Sequence, residues 1–287
     1  MSMTYELSPD PLWVDSLQEY IQPYWTELLQ SDWANAVASR RLALSEMQGW
    51  ILQLYPFIHT FPKFLAEALT RVEDEYARSF LIDNIRVEKA HAEHWIWMGQ
   101  GFGLRPEQMV EIANGTRPVL RDVQSLSDWL WYINAKGTLA EAVSATSFAI
   151  EGVTGDLARK VIAGFESYRG TPGVDMNART YKWMREHVRY DDEHPKIALE
   201  VVKRYTVTER MQSRVMLAAK RSLQLLNLAL DTSYRAYSFN DHNGDAFAFD
   251  RRLGERRSGE RRRALRTLGF PDRRFGERRG RSLRSAA

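Results

Sequence analysis

The sequence predicts an all-α protein, and three observations support that prediction. Between residues 10 and 237, Gly and Pro are sparse inside long stretches whose apolar residues recur every three or four positions. The alternating apolar–polar pattern of half-buried β-strands is absent from these stretches. Apolar residues make up 44% of the chain, which is ample for a single buried core. We therefore expect one helical bundle with short connections.

The individual helices follow from successive apolar stripes. The first stripe is formed by Leu12, Val14, Leu17, Ile21 and Tyr24. The turn-forming residues 8–11 precede it, and a second stripe covers 42–58. Further helices are expected over 60–80, 79–101, 105–114, 122–134, 138–152, 155–168, 175–193, 195–205 and 207–237. Thr206 and Glu209 have the spacing of a capping box at the start of the last helix.

The composition changes sharply near residue 240. Residues 251–287 contain fourteen Arg against three Glu and one Asp, so they carry a net charge of +10. The whole chain carries +3, so the first 250 residues carry −7. The tail repeats an acidic-Arg-Arg-X-Gly unit, and such dense like charge opposes packing. We expect a helical domain over 1–240 and a disordered, Arg/Gly-rich tail over 241–287.

Composition also excludes several classes of site. The chain has no Cys, which excludes disulfides, thiolate metal sites and cysteine nucleophiles. The first residues, MSMTYELSPDPLW, lack the basic and apolar regions of a secretory leader. The apolar runs are too short for a membrane span. We expect a soluble, cytoplasmic protein that does not associate with membranes.

The first group of chemically interesting residues lies in Glu88-Lys-Ala-His91-Ala-Glu-His94. Residues three apart on a helix share a face, so Glu88 and His91 can point at one metal ion. Glu-x-x-His is the ligand pair of helical di-iron carboxylate sites. His94 lies one further turn along and is an alternative to His91. A solvated, charged helix face would give the same motif.

A second group, His187, Asp191 and His194, lies in EHVRYDDEH. Its spacing places the three side chains in one stripe along two helical turns. Two imidazoles and a carboxylate suit a non-haem Fe(II) site with open coordination positions. A polar helix end is the alternative interpretation.

Glu151 is the third candidate, because it follows the apolar run SATSFAI. A carboxylate at such a position is expected to be buried and to need a partner or a metal, although a glutamate ending a helix before Gly152 is equally compatible. Together with the first two groups it gives three histidines and three carboxylates. That number is enough for two metal ions with positions left for O₂ and substrate. Aromatic residues could wall the adjoining cavity or simply form core: Trp95, Trp97, Trp129, Trp131, Tyr132 and Trp183.

Several segments around these residues resemble the haem-oxygenase-like di-iron oxidases, which are relatives of TenA and PqqC. The similarity is greatest to the CADD-type p-aminobenzoate synthases, over about residues 30–205. The resembling segments are YPFIHTFPKFLAEAL (55–69), LIDNIRVEKAH (81–91), GFGLRPEQM (101–109) and the His-x₃-Asp-x₂-His spacing at 187–194.

The resemblance implies a seven-helix bundle that binds no haem. It implies two iron ions, or one manganese and one iron, held by Glu88, His91, Glu151, His187, Asp191 and His194. It also implies an O₂-dependent oxidase or oxygenase that acts on a small amino-acid-like or carboxylic substrate, with p-aminobenzoate formation for folate as one case. The resemblance leaves open whether the protein uses an external reductant and whether it forms a homodimer.

The chain departs from the CADD-type pattern at two positions. Those enzymes consume one of their own tyrosines, but the corresponding position here is Ala34. Their amino-donor lysine corresponds to Val161, with Lys160 beside it. Formation of p-aminobenzoate would therefore require another tyrosine, such as Tyr20 or Tyr24.

Three alternative functions compete with this interpretation. Thiaminase chemistry like that of TenA needs a cysteine nucleophile, which the chain lacks. Cofactor-free oxidation like that of PqqC does not call for six clustered ligands. A non-enzymatic helical protein would bind nucleic acid through its Arg-rich tail. Residues 251–287 of that tail have two aromatic residues, Phe270 and Phe275, so base stacking would be poor and nucleic-acid binding is not expected.

Overall fold

The computed structural model describes residues 5–190 and 193–238, and every regular element in these ranges is helical. The elements are α1 (Leu12–Leu29), α2 (Asp32–Ala38), α3 (Leu44–Leu69), α4 (Glu75–Gly101), α5 (Pro106–Ala113), α6 (Arg121–Lys136), α7 (Leu139–Val143), a π-helical segment (Ser144–Glu151), α8 (Gly152–Phe165), a 3₁₀ turn (Glu166–Tyr168), α9 (Lys182–Tyr190), α10 (His194–Arg204) and α11 (Glu209–Arg235). The all-α prediction is confirmed.

The expected number of seven helices is too small for the described residues. Because α7, the π segment, α8 and the 3₁₀ turn run on without interruption, the described ranges contain ten separate helices. Short elements account for part of the difference. The Ser31 side chain accepts a hydrogen bond from the Ala34 amide, which starts α2 as a helix of its own.

The long helix α3 was predicted as two helices, over 42–58 and 60–80, and that division is wrong. It runs unbroken through Pro56 and Pro62, and more than half of its residues are buried. It packs against α4, α5, α6 and α11 at the centre of the bundle. A proline inside a helix removes a backbone hydrogen bond, and burial of so much apolar surface offsets that loss. The break comes instead before α4, where Asp74 accepts from the Ala77 amide.

Two other predicted helix starts are displaced. The last helix begins at Glu209 after its N-cap Thr208, whose hydroxyl accepts from the Met211 amide, so the capping box predicted at Thr206 is wrong. The helix predicted from 175 begins only at Lys182. Before it, the Asn177 side chain accepts from the Arg179 and Thr180 amides. Such side-chain bonds compete with helix formation.

The site region forms where five elements meet. Helix α9 packs against α4 and α8, while α10 packs against α4 and the π segment. The π segment is buried along its whole length and ends at Glu151. Short π-helical stretches are rare and occur mostly at functional sites.

Two predictions concern residues outside the described ranges, namely the tail over 241–287 and the ligand Asp191. Within the described residues, no helix combines the length and the apolar character needed to cross a lipid bilayer.

Candidate metal centre

Glu88 and His91 of α4 and His187 of α9 form a buried cluster. One possible ligand atom from each residue lies within 4.8 Å of the others. His91 Nδ1 is 3.0 Å from Glu88 Oε1, as expected for residues three apart on a helix. The His91 and His187 rings are 4.3 Å apart between centroids. The structure therefore brings together three of the six predicted ligands from two helices.

A backbone contact fixes the orientation of His187. Its Nδ1 atom lies 2.8 Å from the carbonyl oxygen of Trp183, one turn earlier in α9. A carbonyl only accepts hydrogen bonds, so Nδ1 carries the proton and donates it. The lone pair is then on Nε2. Metal-bound histidines are typically held in this way by a bond from their other ring nitrogen.

Burial strongly perturbs the ionisation of the cluster. Burial raises the pKa of Glu88 to about 8. It lowers the pKa of His91 to about 4 and that of His187 well below the ordinary range. At neutral pH, without a cation, all three groups are then largely uncharged. A divalent cation would supply the charge that stabilises the carboxylate, while the neutral imidazoles are already in their ligating form.

Glu151 ends the π segment beside this cluster, and it is buried as the sequence predicted. Asn84 of α4 donates through Nδ2 to Glu151 Oε1 at 2.8 Å and to Ser147 Oγ at 3.1 Å. Burial and the nearby Glu88 carboxyl raise the pKa of Glu151 to about 7. The predicted carboxylate therefore has a partner that holds its orientation.

His194 is the first residue of α10, and its Nδ1 atom is 3.8 Å from Glu151 Oε2. It is the most exposed of the predicted ligands that the structure describes. Five of the six therefore lie in one region, three in the cluster and two in an adjacent pair. Asp191 lies outside the described residues.

His94 takes a different position from His91. Its Nδ1 atom is 2.6 Å from Glu186 Oε2, and its ring packs 4.8 Å from the Trp97 ring. The sequence left His94 open as an alternative partner of Glu88. This geometry does not match that alternative, because the histidine that lies in the cluster with Glu88 is His91. Glu186 also pairs with Lys182 at 2.7 Å.

Sequence reasoning missed two polar residues of this region, Asn84 and Glu186. Asn84 lies one turn before Glu88, so the helical spacing that selected Glu88 and His91 could have extended to it. Glu186 directly precedes His187 in the sequence, but a helical neighbour at i+1 points elsewhere. Its contact with His94 depends on the packing of α9 against α4.

A largely apolar cavity adjoins the cluster, and Glu88, Glu151 and His187 form part of its wall. Trp95 and Trp183 line it as predicted. The predicted lining by Trp97, Trp129, Trp131 and Tyr132 is wrong, since none of them contributes to the wall. Trp129 instead donates to Ser222 and stacks on Tyr132. Two tryptophans that the sequence did not single out, Trp33 and Trp50, line the cavity in their place.

The fold and its buried group of histidines and carboxylates define the class as a haem-oxygenase-like helical protein. The chain belongs to the family of iron-containing redox enzymes, whose model matches residues 48–227. That membership confirms the resemblance drawn from the sequence motifs, and it implies iron.

Individual relatives agree with this assignment. A 4-aminobenzoate synthase of Chlamydia trachomatis serovar D is 26% identical over 157 residues, which are 53% of this chain and 64% of the relative. The match therefore spans less than two thirds of that relative.

Solved structures of similar fold show the same architecture. A TenA homologue from Pseudomonas syringae pv. tomato has a TM-score of 0.70 at 24% identity, covering 81% of this chain and all of that one. A domain of unknown function with a haem-oxygenase-like fold from Shewanella denitrificans has a TM-score of 0.69 at 19% identity, covering 82% of this chain and 98% of that one.

Proposed function

We propose that the chain is a non-haem di-iron oxidase or oxygenase that uses O₂ as co-substrate on a small carboxylic or amino-acid-like molecule. The observation that carries the proposal is the buried cluster of Glu88, His91 and His187 next to Glu151 and His194. In a family of iron-containing redox enzymes, such a set of imidazoles and carboxylates matches helical di-iron sites.

The residues present fit such a centre. His187 offers a free Nε2 lone pair because its Nδ1 is bonded to a carbonyl. Two buried carboxyls, Glu88 and Glu151, stand close enough for Glu88 to raise the pKa of Glu151. No lysine or arginine is among the described residues that line the cavity. The proposed ligands are Glu88, His91, Glu151, His187, Asp191 and His194. Two iron ions, or one manganese and one iron, would supply the electrons for reducing O₂.

The protein's own residues hold and shield this centre. Asn84 orients the Glu151 carboxylate, and the Trp183 carbonyl orients the His187 ring. The apolar cavity excludes water from the same side chains, so that a bound substrate meets few competing donors. In the metal-free protein, Glu88 and Glu151 hold protons that they release when a cation binds.

Metal content tests the proposal directly. The full chain, purified from cells grown with added iron and manganese, should contain about two metal ions by elemental analysis. Replacing His187→Ala together with His194→Ala should remove at least one of them. His59→Ala is the matched control, because His59 lies on α3 and outside the cluster. Full metal retention in the double variant would contradict the ligand assignment. The Fe(II)-loaded native chain should also consume O₂ in a single turnover.

Formation of 4-aminobenzoate is a second candidate, favoured by the chlamydial relative. With Ala34 at the position of the consumed tyrosine, another tyrosine would have to serve. Neither Tyr20 nor Tyr24 lines the cavity, and Lys220 lies over both rings instead. Expression in a bacterial strain that cannot make 4-aminobenzoate tests this candidate. Absence of growth there would set aside this product and leave the oxidase proposal standing.

A further inference from the structure

Three tryptophans of the cavity wall have indole N–H groups without a hydrogen-bond partner. These are Trp33, Trp50 and Trp183, and each is more than nine-tenths buried. The fourth tryptophan of the wall, Trp95, donates to the Ile51 carbonyl at 2.8 Å. Buried polar groups are nearly always paired, so an unpaired donor in a cavity wall indicates a missing acceptor.

Two of these tryptophans pack against each other. The Trp33 and Trp50 rings are 4.7 Å apart between centroids. Trp50 contacts Trp95 at 5.2 Å, Trp95 contacts Trp183 at 4.7 Å, and Trp183 contacts His187 at 3.8 Å. Trp33 and Trp50 are therefore separated from the proposed ligand His187 by two further rings. We call them the indole donor pair.

The charge and polarity of the wall restrict what the indole donor pair can bind. An indole N–H is a neutral donor with no acceptor capacity. Among the described residues, no lysine or arginine lines the cavity, so a buried anion at this end would lack a counter-charge. Most of the wall is aliphatic or aromatic, which favours an apolar ligand body. An uncharged oxygen acceptor on an apolar molecule satisfies both conditions.

We infer that the indole donor pair binds a carbonyl or hydroxyl oxygen on the apolar part of the substrate, whose carboxylic or amino-acid end lies toward Glu88, Glu151 and His187. That this ligand is the substrate rests on the proposed oxidase function. The binding chemistry itself does not require the metal centre. The indole donor pair adds a second polar contact to the site, away from the metal ligands. This contact would set the position of the substrate along the cavity.

The experiment uses metal-free, full-length protein and three probes of similar size, measured by titration calorimetry. Acetophenone carries a neutral acceptor, ethylbenzene carries none, and benzoate carries an anion. Replacing Trp33→Phe together with Trp50→Phe keeps an aromatic ring, although a smaller one, at each position and removes both N–H groups. We expect acetophenone to bind about tenfold more weakly to this variant, the effect of losing neutral hydrogen bonds, while ethylbenzene changes by less than about twofold. Benzoate should bind the native protein more weakly than acetophenone.

The matched control is Trp95→Phe, whose N–H is already used inside the protein. It should affect acetophenone and ethylbenzene equally. The single variants Trp33→Phe and Trp50→Phe replace the double variant if circular dichroism shows that it does not fold. Equal weakening of both probes, unchanged binding of acetophenone, or tighter binding of benzoate would each overturn the inference. Failure to bind iron would overturn the proposed function and leave this result unaffected.

Discussion

At the scale of single residues, the ionisation of Glu88 affects how the stability of the metal-free protein depends on pH. Its pKa is raised to about 8, so between pH 4.5 and 8 the folded chain binds a proton that the unfolded chain has lost. Stability from this group therefore falls as pH rises through that window. The lowered pKa values of His91 and His187 act in the opposite direction, but only below their ordinary value near 6.5.

We therefore expect the melting temperature of the metal-free protein to fall between pH 6.5 and 8.5. The contribution of Glu88 over this range is up to about 2 kcal/mol, which is the scale of a shift of one to two pKa units. Thermal unfolding followed by circular dichroism measures it. The variant Glu88→Gln should show a flatter profile, and added Fe(II) under anaerobic conditions should remove the decline. Identical profiles in the native protein and in the variant would show that Glu88 is already ionised in the folded protein.

Asn84 supports a second residue-scale prediction, because its amide donates a hydrogen bond to Glu151. Replacing Asn84→Ala leaves a proposed ligand without its orienting contact. Loss of such supporting contacts typically lowers metal affinity by about 10- to 100-fold. Metal titration of the metal-free variant tests this.

A matched control for that experiment is Asn134→Ala. Asn134 is equally buried, but it donates to the Leu130 carbonyl within its own helix. The control should lose stability and keep the native metal affinity. Equal affinity in both variants would mean that Asn84 serves packing alone.

At the scale of elements, the sequence pattern and the structure place the N-cap of α11 at different residues. Thr208 caps the helix, whereas the Thr206 hydroxyl is buried without a partner. Replacing Thr208→Ala should therefore destabilise the protein by about 0.5–2 kcal/mol. Replacing Thr206→Val should be neutral or stabilising, since it removes an unpaired buried hydroxyl. Denaturant unfolding compares the stability of the two variants. The reverse order of stability would show that Thr206 is the N-cap of α11.

At the scale of the whole molecule, contacts within one helix were predictable and contacts between distant elements were not. The spacing of Glu88 and His91 directly gives a shared face. By contrast, Asn84 meets Glu151 across 67 positions, a pairing that only the packed bundle creates. The sequence around Trp33 and Trp50 does not indicate whether these side chains line a cavity or belong to the ordinary core. The prolines of α3 were misleading because tertiary burial outweighed their local effect.

The Arg-rich tail gives a prediction for the whole chain. Its composition cannot bury enough apolar surface to offset the entropy of ordering, and all six proposed ligands precede residue 195. A chain truncated near residue 245 should stay helical by circular dichroism and keep its metal content. Loss of metal on truncation would instead mean that the basic residues 251–287, at +10, bind to the acidic first 250 residues, at −7. Such an attraction should weaken as ionic strength rises.

The π-helical segment has a consequence for the gene. Its i→i+5 bonds take up one more residue than the α-helical pattern on either side. An in-frame deletion of one codon within 144–151 would let this stretch continue as α-helix with α7 and α8 near their present register, because the π segment takes up the one residue that α-helical spacing leaves over. The backbone before Glu151 would tighten, while the glutamate stayed close to its present helix face. Among homologous genes, we therefore expect a one-codon gap in this stretch to leave the glutamate in place.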